Sequence, residues 1–118
     1  MKLVLPAIVL VSGCSSLVDT IPPKSLTLTA MTETSVRIEM YLQKNGRLPP
    51  DFKSLPVREG YANRTDDAWH RPLLYIIESG DTVVLKSFGA DGKPGGSGDD
   101  EDLIRRYKVE NGRLDEIR

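Results

Sequence analysis

Between Ser87 and Leu103 the chain reads SFGADGKPGGSGDDEDL, with glycines at 89, 92, 95, 96 and 98, a proline at 94 and an unbroken acidic run from Asp99 to Asp102. The chemistry available to these residues is oxygen coordination of a hard cation. Calcium takes six to eight oxygens at ~2.4 Å from carboxylates and backbone carbonyls, and it needs a chain able to curl around it. Glycine permits that curl, because without a Cβ it enters backbone conformations closed to other residues. Asp91 stands ahead of the glycines and Asp99, Asp100, Glu101 and Asp102 follow them, so carboxylates bracket a pliant segment. The same composition also describes a solvated acidic turn, and the residues by themselves leave both readings open.

Two general calcium patterns fit only in part. Laid on an EF-hand loop, Asp91 takes the first position, Gly96 the turn glycine and Asp102 the twelfth, but Lys93 and Gly95 then fall where oxygen-bearing side chains are needed. A helix should also precede such a loop, and a strand-like run does instead. Against the nonapeptide of calcium β-rolls, GGSGDD matches the opening positions, yet a single copy cannot stack into a roll.

Other residue types give little support for catalysis. His70 is the only histidine, and no motif sets a serine or cysteine nucleophile beside it, so a loop hydrogen bond is the expected role. Trp69 reads as a packing anchor beneath a sheet. Arg105, Arg106 and Lys108 balance the acids before them, and Asn63-Arg64-Thr65 matches a short glycosylation triplet of no diagnostic weight. The reading is a non-enzyme. With a formal net charge of -1 and basic residues scattered among acidic ones, a nucleic-acid partner is excluded as well.

The elements that must position the acidic loop follow from periodicity. Leu28, Met31, Ser35, Ile38 and Leu42 recur at spacings of three and four, which predicts an amphipathic helix from about Leu26 to Lys44, with Glu33, Arg37 and Glu39 on other faces. Asn45-Gly46 ends it. Asp51 to Leu55 lies between proline breaks and suits one helical turn anchored by Phe52 and Leu55, and the stretch from Val57 to Pro72 has no period and reads as loop. Leu73–Ile77 and Thr82–Phe88 are β-branched and aromatic runs joined by a glycine-bearing turn, a hairpin. Leu103–Val109 makes a third strand, and Asn111-Gly112 is the preferred type I′ turn leading into a fourth, Arg113–Ile117. The predicted fold is α+β, one N-terminal helix on a small antiparallel sheet of three to four strands.

The N-terminus carries a different signal. Lys2 precedes a short apolar run, Leu3 to Val11, well under the ~20 residues that span a bilayer, and then Val-Ser-Gly-Cys ends at Cys14, the only cysteine. This looks like the signal and lipobox of bacterial lipoproteins. It divides the chain into a signal peptide (1–13), a tether (14–25) beginning at an acylated Cys14, and a domain (26–118). More than one acyl chain anchors a protein to a membrane essentially permanently, and Ser15 rather than Asp after the cysteine implies the outer membrane, facing the periplasm. A single cysteine also excludes an internal disulfide, so a small exported domain must find its rigidity elsewhere.

Asp67-Ala68-Trp69-His70, then a strand pair, then Ser87-Phe88-Gly89-Ala90-Asp91-Gly92, glycines, acids and Asp102-Leu103 resemble the C-terminal signature of the major pseudopilin of type II secretion systems. That signature runs Asp-Pro-Trp-Gly, strands, and Ser-Leu-Gly-Ala-Asp-Gly. Tyr41, Asn45-Gly46 and Pro49 are similar to the end of the family's helix, so the resemblance covers about Leu28 to Leu103. It implies a pseudopilin-like fold with structural calcium bound by the carbonyls of Phe88 and Lys93 and the carboxylates of Asp91, Asp100 and Asp102, with Ser97 and Asp99 in reserve. It implies secretion or pilus-like apparatus proteins as partners. The family's prepilin cleavage site and long apolar helix are replaced by the lipobox, so a piston role does not transfer with the fold. An envelope lipoprotein using the domain to bind peptide or glycan is the alternative.

Overall fold

The computed structural model describes residues 21–118; Cys14, the signal peptide and the first part of the tether lie outside the described residues. Helix α1 runs Pro23–Asn45, three residues earlier than the periodicity suggests. Proline is well suited to a first helical turn, because its fixed φ matches the helix and its missing N–H would have no intrahelical acceptor there. The Pro22-Pro23 pair therefore starts the helix instead of ending a tether. Gly46 closes it in the left-handed conformation (φ 72°), its N–H donating to the Leu42 carbonyl at 2.8 Å.

A short 3-10 turn at Phe52–Ser54 follows, capped by the Asp51 carboxylate, which accepts from the Ser54 N–H at 3.0 Å. Four strands then form one antiparallel sheet in the order β1-β2-β3-β4: β1 Leu74–Glu78, β2 Thr82–Ser87, β3 Leu103–Glu110 and β4 Arg113–Ile117. Asn111 and Gly112 both have positive φ, 52° and 74°, as the type I′ turn requires. The architecture is the α+β arrangement expected.

In the registers Val83↔Tyr107 and Leu85↔Arg105, one sheet face turns Val83, Leu85 and Tyr107 toward Ala30, Met31 and Ile38 of α1, with Leu55 and Leu73 closing the core. Met31, Ile38, Val83 and Leu85 are wholly buried, and each large apolar side chain so enclosed contributes about 1.5–3 kcal/mol. The helix lies chiefly over β3 and β4, where the Leu114 N–H donates to Glu39 Oε1 at 2.7 Å.

Arg37 departs from its predicted outward face and is buried. Its Nε donates to the Pro56 carbonyl at 2.8 Å and its Nη1 to the Asn63 carbonyl at 3.1 Å, which ties the irregular segment after the 3-10 turn to the helix. Burial lowers its pKa from the ordinary value, while Glu33 acts in the opposite direction. Trp69 is only partly buried and is not among the side chains packed on the core. No described helix is long and apolar enough to cross a membrane.

Candidate functional site: the glycine-rich acidic loop

Strand β2 delivers the chain into the loop at Ser87, and β3 takes it away at Leu103, its cross-strand partner. Because entry and exit are paired, the loop must return on itself. It does so closely: the Ala90 N–H donates to the Asp99 carbonyl at 2.7 Å. A Cβ on Gly89 would lie 2.7 Å from the Asp99 oxygen and the Asp100 carbonyl carbon and 2.8 Å from the Glu101 oxygen. Glycine is required there by contact as well as by its φ of 77°.

The base of the loop is organised by Asp67, which is buried. Its Oδ1 accepts from the N–H groups of Trp69 (2.9 Å) and Arg71 (3.0 Å), and its Oδ2 accepts from Ser87 Oγ at 2.8 Å. Ser87 Oγ in turn accepts from the Gly89 N–H at 3.1 Å. Thr27 Oγ1 on α1 accepts from the Ala68 N–H at 3.0 Å. The 67–71 turn is thus bonded both to the helix and to the loop entrance. Arg71 completes the clamp: its Nη1 donates to the Gly89 carbonyl at 2.8 Å and its Nη2 to the Ala90 carbonyl at 2.9 Å. Sequence reasoning gave Asp67 and Arg71 no role. The available signal was Asp67 itself, an acid opening the tryptophan motif four residues before Arg71.

The residues proposed to hold calcium are distributed as follows. Phe88 is partly buried, with Lys86 Nζ 4.8 Å from its ring centroid. Asp91 and Lys93 are exposed, and Asp91 Oδ1 accepts from the Lys93 N–H at 3.0 Å. Asp100 and Asp102 are partly buried, and both Asp102 oxygens accept from the Gly95 N–H, at 3.1 and 3.2 Å. Ser97 and Asp99 are exposed. Among the described residues, no three histidine, cysteine, aspartate or glutamate side chains are gathered as metal ligands. The donor chemistry suits a hard cation: no described donor engages the carbonyls of Phe88 or Lys93, and Asp91 commits one of its two oxygens.

A family model for type II secretion system protein G matches residues 24–106, well over half of the chain, from the first turn of α1 into β3. The chain belongs to the type II secretion system protein G family. Searches among curated proteins and among solved structures returned no match. The match contains the whole of the acidic loop, the Asp67 turn and nearly all of the helix, and it ends within β3, so the rest of β3 and β4 lie beyond it. Protein G is a structural component of the secretion machinery, which agrees with the non-enzymatic reading.

One residue of the 67–71 turn is strained. His70, which stands at the glycine of the Asp-Pro-Trp-Gly pattern that this segment resembles, has a left-handed backbone, φ 65°. A non-glycine residue held there costs of order 1–2 kcal/mol, partly offset by the greater unfolded-state entropy of glycine. His70→Gly is therefore expected to raise stability by about 0.5–1 kcal/mol in urea unfolding. A decrease would show that the imidazole contributes more than its backbone strain removes.

Proposed function

We propose that this protein is a lipid-anchored component of type II secretion: Cys14 carries acyl chains in the outer membrane, and the protein G domain faces the periplasm as a scaffold for other apparatus proteins. The observation that carries the reading is the family match over residues 24–106 behind a sequence whose apolar run ends in Val-Ser-Gly-Cys. A short tether links anchor and domain, so the domain stays near the membrane.

In the same reading, the loop holds a structural calcium ion through the carbonyls of Phe88 and Lys93 and the carboxylates of Asp91, Asp100 and Asp102. The bound ion supplies positive charge to acids that otherwise repel, and it has no catalytic part. Asp67 and Arg71 fix the loop entrance, and Gly89 lets the acidic limb approach it.

Cys14→Ser tests the anchor. The protein should move from the outer-membrane fraction to the soluble periplasmic fraction, and retention at the membrane would refute lipidation at this residue. Loss of the gene should leave type II cargo in the periplasm. Undiminished secretion would remove the scaffold role while leaving the anchor result intact.

A further inference from the structure

The two outer edges of the sheet are unlike each other. β4, Arg113–Ile117, carries three charged side chains in five residues, Arg113, Asp115 and Glu116, and charge along an edge discourages another chain from adding to it. β1, Leu-Tyr-Ile-Ile-Glu, carries no proline or lysine; the bridge between Asp66 and Pro72 and the bond from the Leu73 N–H to the Thr65 carbonyl end just before it, and no described strand pairs with its outer edge. Three large apolar side chains are exposed on this one short strand: Leu74 at 38%, Ile76 at 41% and Ile77 at 45%. Ile77 points to the core face, opposite Val83, yet remains open because α1 lies over β3 and β4. Leu74 and Ile76 point to the other face, opposite Lys86 and Val84. Covering β1 therefore needs an occupant that adds along the edge and contacts both faces, which is what another strand does.

We propose that β1 pairs with β1 of a second copy of this chain about a two-fold axis at Ile76, joining two sheets into one of eight strands. Antiparallel pairing of a strand with itself sets residue 76 opposite 76, 75 opposite 77 and 74 opposite 78. All five residues of the strand are used. On the outer face the two Ile76 side chains meet; on the core face Ile77 meets Tyr75 of the second copy. Glu78 of the second copy comes beside Leu74, whose other neighbour is Lys86. Lys86 has no carboxylate partner among the described residues and rests on the Phe88 ring. Next to it, Arg71, Pro72, Leu74 and Phe88 line an open groove of about 320 Å³ that can admit the incoming Glu78 end. In this register the Lys86 end of each β1 lies toward the Glu78 end of the other, and Glu78, which pairs with Arg106 of its own chain at 3.7 Å, brings its carboxylate to the far side of Leu74 from Lys86.

Cross-linking tests the axis directly. In the full chain carrying Cys14→Ser, Ile76→Cys would place two thiols opposite each other, with Cβ atoms ~5 Å apart, close enough for a disulfide after a small adjustment. Mild oxidation should link it on the order of tenfold faster than Val57→Cys, at a position 76% exposed and outside every strand. In sedimentation the Cys14→Ser chain should be a dimer that Ile76→Lys converts to monomer while its circular dichroism stays native. The proposal is overturned if the chain remains monomeric, if the two cysteine variants link at equal rates, or if a natively folded Ile76→Lys variant still dimerises.

Discussion

Removing calcium is expected to lower the melting temperature of this protein by about 10–20 °C. An ion present at a hundred times its dissociation constant stabilises the folded state by roughly 2.7 kcal/mol, and a domain near 100 residues shifts by ~4–8 °C for each kcal/mol. The effect should be large because the loop has few other sources of order. Asp91, Asp99 and Glu101 are exposed, the loop's glycines carry high conformational entropy when unfolded, and no disulfide crosses it. Asp91→Asn, which removes the charge of a proposed ligand without changing side-chain size, should melt at one temperature in calcium and in chelator. Equal melting of the unmodified protein in both would sink the calcium reading. The Asp67 and Arg71 bonds would then be the loop's principal restraints, since neither depends on an ion.

The strands were readable because β-branched and aromatic runs broken by Ser79-Gly80 and Asn111-Gly112 admit few other structures. The observed limits fall within a residue of those expected. The helix was readable in its middle, where Met31, Ser35, Ile38 and Leu42 are buried, and misread at its start. There Pro23 signals a boundary without showing on which side the helix lies. Thr27 and Thr34 also belong to the buried face, which no apolar count would include; their hydroxyls donate to the carbonyls of Pro23 and Arg64. Arg37 was hidden for the same reason. A guanidinium becomes an interior group only when distant carbonyls converge on it, and the spacing of charges along a helix carries no record of that.

The loop divides in the same way. Its closure followed from the pairing of Ser87 with Leu103, and its glycines marked the tight approaches. The clamp at its base joins residues 67, 71, 87 and 89 across a strand pair, so it exists only once the sheet has formed. A buried carboxylate accepting three hydrogen bonds looks, in sequence, like any other loop aspartate. Trp69 drew the attention that Asp67 merited, because aromatic residues are conspicuous in composition and capping acids are not.

Gly89→Ala should be among the most damaging small substitutions in the loop, lowering stability by about 3 kcal/mol or more. Two costs combine. Alanine at φ 77° pays the left-handed penalty of ~1–2 kcal/mol, and its Cβ would sit 2.7–2.8 Å from backbone atoms of Asp99, Asp100 and Glu101. Backbone cannot rotate aside as a side-chain tip can, so relief requires the acidic limb to move away, breaking the bond from the Ala90 N–H to the Asp99 carbonyl. Gly80→Ala separates the two costs. Gly80 has nearly the same φ, 76°, but nothing lies within 4 Å of its Cβ position, so it should lose only the conformational share, about 1 kcal/mol. Urea unfolding of both variants gives the steric share by difference. Comparable losses at 80 and 89 would mean that the limbs of the loop are not in contact in solution. If they are in contact, Gly89→Ala should also abolish the calcium-dependent rise in melting temperature while Gly80→Ala keeps it, since only the first pushes Asp100 away from the loop entrance.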